Sequence, residues 1–149
     1  MSLKDRINED MKAAMRAKDS ERLGTIRMLQ AAIKQREVDE RITLDDAQVL
    51  DVVEKMVKSR RESVAQYERG GRPELAARES REIEILQTYL PTPLSDAEVD
   101  ALIDAAIAES GATSIKDMGK AMALVKQRAQ GRVDMAAVSN KLKARLTGA

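Results

Sequence analysis

Tyr89-Leu90-Pro91-Thr92-Pro93-Leu94-Ser95-Asp96-Ala97-Glu98-Val99 is the stretch on which the fold turns. Two prolines in three residues forbid helix continuation, because each lacks an N–H donor and restricts the residue before it. A helix-start signal follows at once. Ser95 and Glu98 have the spacing of a capping box, and Leu94 and Val99 sit where a hydrophobic staple needs them. The helical stripe Leu75, Glu79, Ile83, Leu86 and Leu90 stops here, and a new one, Val99, Leu102, Ile103, Ala106 and Ile107, begins. The break predicts two parts: an N-terminal multi-helix module over 1–92 and a small C-terminal three-helix domain over 95–149.

Working upstream, four helices are predicted. The first starts at Ser2 and turns Leu3, Ile7, Met11, Ala14 and Met15 inward. Asp19-Ser20 breaks the chain, and the second carries Leu23, Ile26, Leu29 and Ile33, ending near Val38. Gly24 inside it costs about 1 kcal/mol against Ala and is read as a mark of close packing. Thr43 is the expected N-cap of a long third helix with Val49, Val52, Val53, Met56, Val57, Val64 and Tyr67 inward, stopped by Gly70-Gly71. Pro73 suits the first position of the fourth. Downstream, the fifth ends at Gly111, Ser114 and Asp117 start the sixth, and Asp134 caps the seventh. The fold class is all-α. No tandem repeat or low-complexity tract interrupts it.

Composition supports this and restricts the chemistry. The chain has no Trp, no Phe, two Tyr and eight Met, so the core is built from Leu, Ile, Val, Ala and Met. There is no His and no Cys. Ser-His-Asp and Cys-His arrangements, thiolate chemistry, disulfides and ordinary zinc sites are therefore excluded. No catalytic residue, no metal ligand set and no cofactor is assigned. Glu79, Glu82 and Glu84 alternate with Arg78 and Arg81 and are read as a salt-bridged solvated face. The longest apolar run, Ala121 to Val125, is far short of the ~20 residues that span a bilayer. No apolar signal segment opens the sequence, and a cytoplasmic location without membrane contact is expected.

Charge is segregated although the whole chain carries +1. Residues 1–94 balance at zero. Residues 95–115 hold five acids and no base. Residues 116–149 hold eight bases against Asp117 and Asp134, a net +6. The eight are Lys116, Lys120, Lys126, Arg128, Arg132, Lys141, Lys143 and Arg145. Such a set suits a phosphate backbone, whose binding releases counterions. Without aromatics beside it, recognition by shape and backbone is expected rather than base stacking. Several of the eight also sit near helix C-termini, where cations are favourable without any ligand. Asp117-Met118-Gly119-Lys120 fails as a phosphate loop, because its preceding glycine is Gly111 and Ala121 stands where Ser or Thr would hold Mg²⁺. Gly119 is read instead as a point of close helix approach.

Two blocks resemble a known family. The first holds Arg61-Glu62-Ser63, Tyr67, Gly71-Arg72, Leu75-Ala76, Glu79 and Tyr89-Leu90-Pro91. The second holds Gly111-Ala112-Thr113, Lys116 to Met122, Gly131-Arg132-Val133-Asp134 and Lys141 to Leu146. Together they are similar to the YqeY-like family, which is related to the C-terminal tail domain of the B subunit of the glutamine-dependent aspartyl/glutamyl-tRNA amidotransferase. Val133 and Met135 depart from the family's Gly-Arg-Ala-Asp-Gly turn. The resemblance implies an all-helical fold and a link to tRNA, with the eight bases as RNA contacts. It implies that the N-terminal module supports the tail or binds a protein partner, and DNA is not expected. The family carries a label of carbon-nitrogen ligase activity with glutamine as amide donor. The chain resembles neither the kinase-like cradle nor the amidase subunit that this reaction needs. The expectation is a tRNA-associated protein that does not catalyse alone. The alternatives are a component of such a ligase and a protein-interaction module without RNA.

Overall fold

The computed structural model describes residues 1–148. Among them are seven α-helices, one 3₁₀ turn and no strand, so the fold is all-α. The helices are α1 (Leu3–Arg16), α2 (Ser20–Glu40), α3 (Asp46–Arg69), α4 (Pro73–Gln87), α5 (Asp96–Ser110), α6 (Met118–Ala129) and α7 (Met135–Leu146), with the 3₁₀ turn at Ile115–Asp117. The chain divides into two compact units, Met1–Leu90 and Pro91–Ala149.

In the first unit α3 and α4 lie along one another, and α2 packs on α1, α3 and α4. Ile7, Ile26, Leu29, Val49, Val53 and Leu86 are fully buried between them. Most inward positions follow the helical spacing of the sequence, with one exception: Met15 is 46% exposed, and its neighbour Ala14 takes the buried place in the last turn of α1. α3 begins two residues later than the Thr43 cap implies. Asp45 accepts from the Gln48 amide at 2.9 Å, and Gln48 Oε1 accepts from the Asp45 amide at 2.9 Å. That reciprocal pair satisfies two orphan donors, and Thr43 is left in the exposed loop.

Tyr89 closes this unit. It is 3% exposed, its phenol donates to Asp10 Oδ2 at 2.7 Å, and the Arg6 guanidinium lies 4.9 Å above its ring. Burial, first, and the Asp10 carboxylate, second, push the phenol pKa up, so Tyr89 stays a donor at any physiological pH. Arg6 Nη2 also donates to the Thr88 carbonyl at 2.7 Å. The last turn before Pro91 is thereby tied to α1.

The expected salt-bridged, solvated face on α4 forms only in part: Arg78, Arg81 and Glu84 are exposed and Arg78 lies 4.0 Å from Glu82, but the face turns inward at Glu79 and Glu82. Glu82 is buried, and Arg60 from α3 donates to its Oε2 at 2.9 Å. Arg60 lies 3.9 Å from Glu79 as well, and donates to the Met56 carbonyl. The arginine makes a partly buried bridge between the two helices, and two carboxylates share it.

In the second unit α5, α6 and α7 pack pairwise. Ile103, Ala106, Ala121, Val125, Val138 and Leu142 form its core, with Leu102, Met118, Met122 and Met135 around them. The capping box holds: Ser95 Oγ accepts from the Glu98 amide at 3.2 Å, and Glu98 Oε1 accepts from the Ser95 amide at 3.1 Å. Those bonds, from the Ser95 backbone first, hold the Glu98 carboxyl below its ordinary pKa.

Candidate nucleic-acid interface

The basic set rests on α6 and α7, and α5 brings its acids against part of it. Asp100 and Asp104 are one turn apart on α5, as Lys141 and Arg145 are on α7. Lys141 reaches Asp100 at 3.0 Å, and Arg145 pairs with Asp104 and lies 3.6 Å from Asp100. Arg128 on α6 pairs with Glu109. The acidic and basic blocks of the sequence are thus partly spent on one another, as interhelical ties.

Arg132 has a different task. Its backbone carbonyl accepts from the Leu94 amide at 2.9 Å, and its Nε donates to the Thr92 carbonyl at 2.8 Å. The Gly131-Arg132-Val133-Asp134 turn therefore holds the segment that leads into α5. Gly131 sits at φ +81, the left-handed conformation that glycine tolerates and that ends α6. Asp134 then caps α7 through the Ala136 amide at 3.0 Å.

The other four, Lys116, Lys120, Lys126 and Lys143, are exposed and take part in none of these ties. Lys126 and Lys143 lie in the last turns of α6 and α7, where the helix dipole favours cations anyway. Lys116 and Lys120 are the reverse case. They flank the start of α6, where the dipole disfavours cations.

This start differs from the sequence expectation. α6 is entered through the 3₁₀ turn, and no side chain caps it. Asp117, the expected capping partner, turns back and accepts from the Thr113 amide at 3.1 Å. That bond is the main reason its carboxyl pKa is lowered, with the nearby Lys120 charge a smaller one. Gly119 stands exposed between the two lysines. A Cβ built on it meets nothing within 4 Å, so it is not a point of close helix approach as the sequence reading had it. The result is an uncapped helix N-terminus with bare backbone at Gly119 and a lysine on either side. The 3₁₀ turn already takes the Met118 amide on the Ile115 carbonyl, so an oxyanion suits such a place chiefly through the two lysine charges and the helix dipole.

Among the described residues no cluster of His, Cys, Asp and Glu has metal-site geometry, and no helix is long and apolar enough to cross a membrane.

A family model described as Yqey-like protein matches residues 4–146. Similar curated proteins carry the name Altered inheritance of mitochondria protein 41, mitochondrial. The one from Eremothecium gossypii is 38% identical over 62% of this chain and 51% of its own length. Those from Kluyveromyces lactis and Pyrenophora tritici-repentis are each 32% identical, over 93% and 92% of this chain and 72% and 77% of their own lengths. Against several other relatives, as with the first, the chain spans roughly half to two thirds of their length. These names correct the expected cytoplasmic location, because they point to mitochondria instead. The expectation rested on the lack of an apolar secretory segment, a test blind to the amphipathic, Arg-rich transit peptides of mitochondrial proteins. The family match runs from the first turn of α1 to the last residue of α7, and the chain belongs to the YqeY-like family.

Proposed function

We propose that the protein is tRNA-associated and grips the RNA backbone at the start of α6, without catalysing amide transfer alone. The observation that carries this is the placement of Lys116 and Lys120 beside an uncapped helix N-terminus. Two cations there oppose the helix dipole, so an outside anion accounts for them better than helix stability does. Lys126 and Lys143 extend the exposed positive surface. Arg128, Arg132, Lys141 and Arg145 belong to the scaffold in this reading, since each is already engaged within the second unit. The likeness to the amidotransferase tail domain supplies tRNA as the RNA.

The test is a tRNA titration at two salt concentrations. Wild type should bind at low salt, with a log-log slope of about −0.7 to −0.9 per phosphate neutralised. The double variant Lys116→Ala/Lys120→Ala should bind more weakly, with a slope shallower by about 1.4 to 1.8 if both lysines touch phosphates. Its melting temperature should match wild type, because exposed substitutions stay within roughly ±0.5 kcal/mol. Equal binding by variant and wild type would remove the RNA reading and leave the protein-interaction module. Purified protein with glutamine, ATP and Glu-tRNA(Gln) should yield no Gln-tRNA(Gln); product formation would instead favour the ligase reading.

A further inference from the structure

Gly24, Met28, Ala31, Gln35 and Val38 on α2, with Ile42 just beyond it, follow one another at alternating steps of four and three residues. That is the spacing of a coiled-coil seam. All six are exposed. Met28 at 41%, Val38 at 59% and Ile42 at 40% make up half of the exposed large hydrophobics among the described residues. The opposite side of α2 puts Ile26, Leu29 and Ile33 into the core. The helix is thus apolar on two faces; its own unit covers one and reaches the other only at Met28, whose Sδ lies 3.6 Å from Arg60 Nη2.

Gly24 sharpens the point. A glycine in a helix interior costs about 1 kcal/mol against alanine. A Cβ at this position meets nothing within 4 Å, so the close packing expected from the sequence is absent within the chain. With Ala31 seven residues on, it leaves a low place on the exposed face where another backbone can come near.

Charge identifies the occupant. One edge of the seam carries Arg27 and Lys34, with Arg41 beyond the helix end; the other carries Asp39, since Glu21 on that side is already paired with Arg81 at 2.6 Å. In a parallel two-fold pair, the basic edge of each helix meets the acidic edge of its mate. In an antiparallel pair, like edges meet. We propose that this face is a homodimer interface, with a second copy of the chain laying its α2 parallel along the first. Lys34 then faces Asp39 of the other copy, the spacing at which coiled-coil edge charges pair. One helix pair is smaller than the roughly 1,200–2,000 Å² of a stable complex, so the dimer forms only at high protein concentration.

Sedimentation velocity over a concentration series tests this. The 16.5 kDa chain should move toward twice that mass as concentration rises. Met28→Glu and Val38→Glu, each an exposed substitution, should keep it monomeric with unchanged far-UV circular dichroism. Lys34→Glu should weaken association roughly five- to tenfold, and adding Asp39→Lys should restore it. The chain has no cysteine, so Val38→Cys is a clean reporter of direction: the two copies should crosslink under mild oxidation. A chain monomeric at every concentration, a dimer indifferent to the glutamates, or a dimer in which Val38→Cys fails to crosslink would each overturn the proposal.

Discussion

Arg60 shows how far one residue's role escapes its sequence. Beside Lys58 and Arg61 it reads as one more surface base, yet it bridges α3 to the buried Glu82. The partner is 22 residues away on another helix, and no local period reports that. Removing the guanidinium leaves Glu82 without its main partner. Arg60→Ala should cost about 1.5–3 kcal/mol, the range for a hydrogen bond to a charged group, read as a lower melting temperature. Glu79 beside it shifts in the opposite sense to Asp5, Glu37, Glu74, Glu98 and Asp117. Burial raises its pKa above the ordinary 4.5, and the Glu82 charge adds to this against the pull of Arg60. The folded chain therefore holds an extra proton just above pH 4.5, and that contribution to stability fades as pH rises through the raised value. Asp5, Glu37, Glu98 and Asp117 have lowered pKa values, and their contribution fades as pH falls instead. Glu79→Gln should flatten the stability profile above pH 4.5 and leave the acid limb alone, which denaturant unfolding at several pH values measures.

At the scale of the helix, starts were legible where the cap is reciprocal and local. Ser2 with Asp5 and Ser95 with Glu98 form the boxes their spacing announces. Ser95→Ala should cost about 1 kcal/mol, visible as earlier melting. The starts of α3 and α6 were set wrongly because several capping residues compete there. Asp45 outbids Thr43 by pairing with Gln48, and Asp117 serves the loop before it instead of the helix after it. The two interior glycines were misread for one reason: sequence marks a missing side chain but not whether anything fills the space. Gly24→Ala should therefore stabilise the dilute protein by up to about 1 kcal/mol, since the new methyl meets no atom of the chain.

Across the whole molecule, the helical content and the family were readable from apolar periodicity and from two blocks of quoted residues. The candidate site was readable only in outline. Composition counted eight bases, and the fold sorted them, because pairing between α5 and α7 depends on which helices meet. The location could not be read from apolar runs at all. One further consequence lies in the placement of the two tyrosines. Tyr67 and Tyr89 both belong to the first unit, and the second has neither tyrosine nor tryptophan, so it is silent in emission. Tyrosine emission thus follows the melting of α1 to α4 alone, whereas ellipticity at the helix band follows all seven helices. Recording both on one sample turns an unlabelled chain into its own two-channel reporter, and any lag between the curves belongs to the silent half.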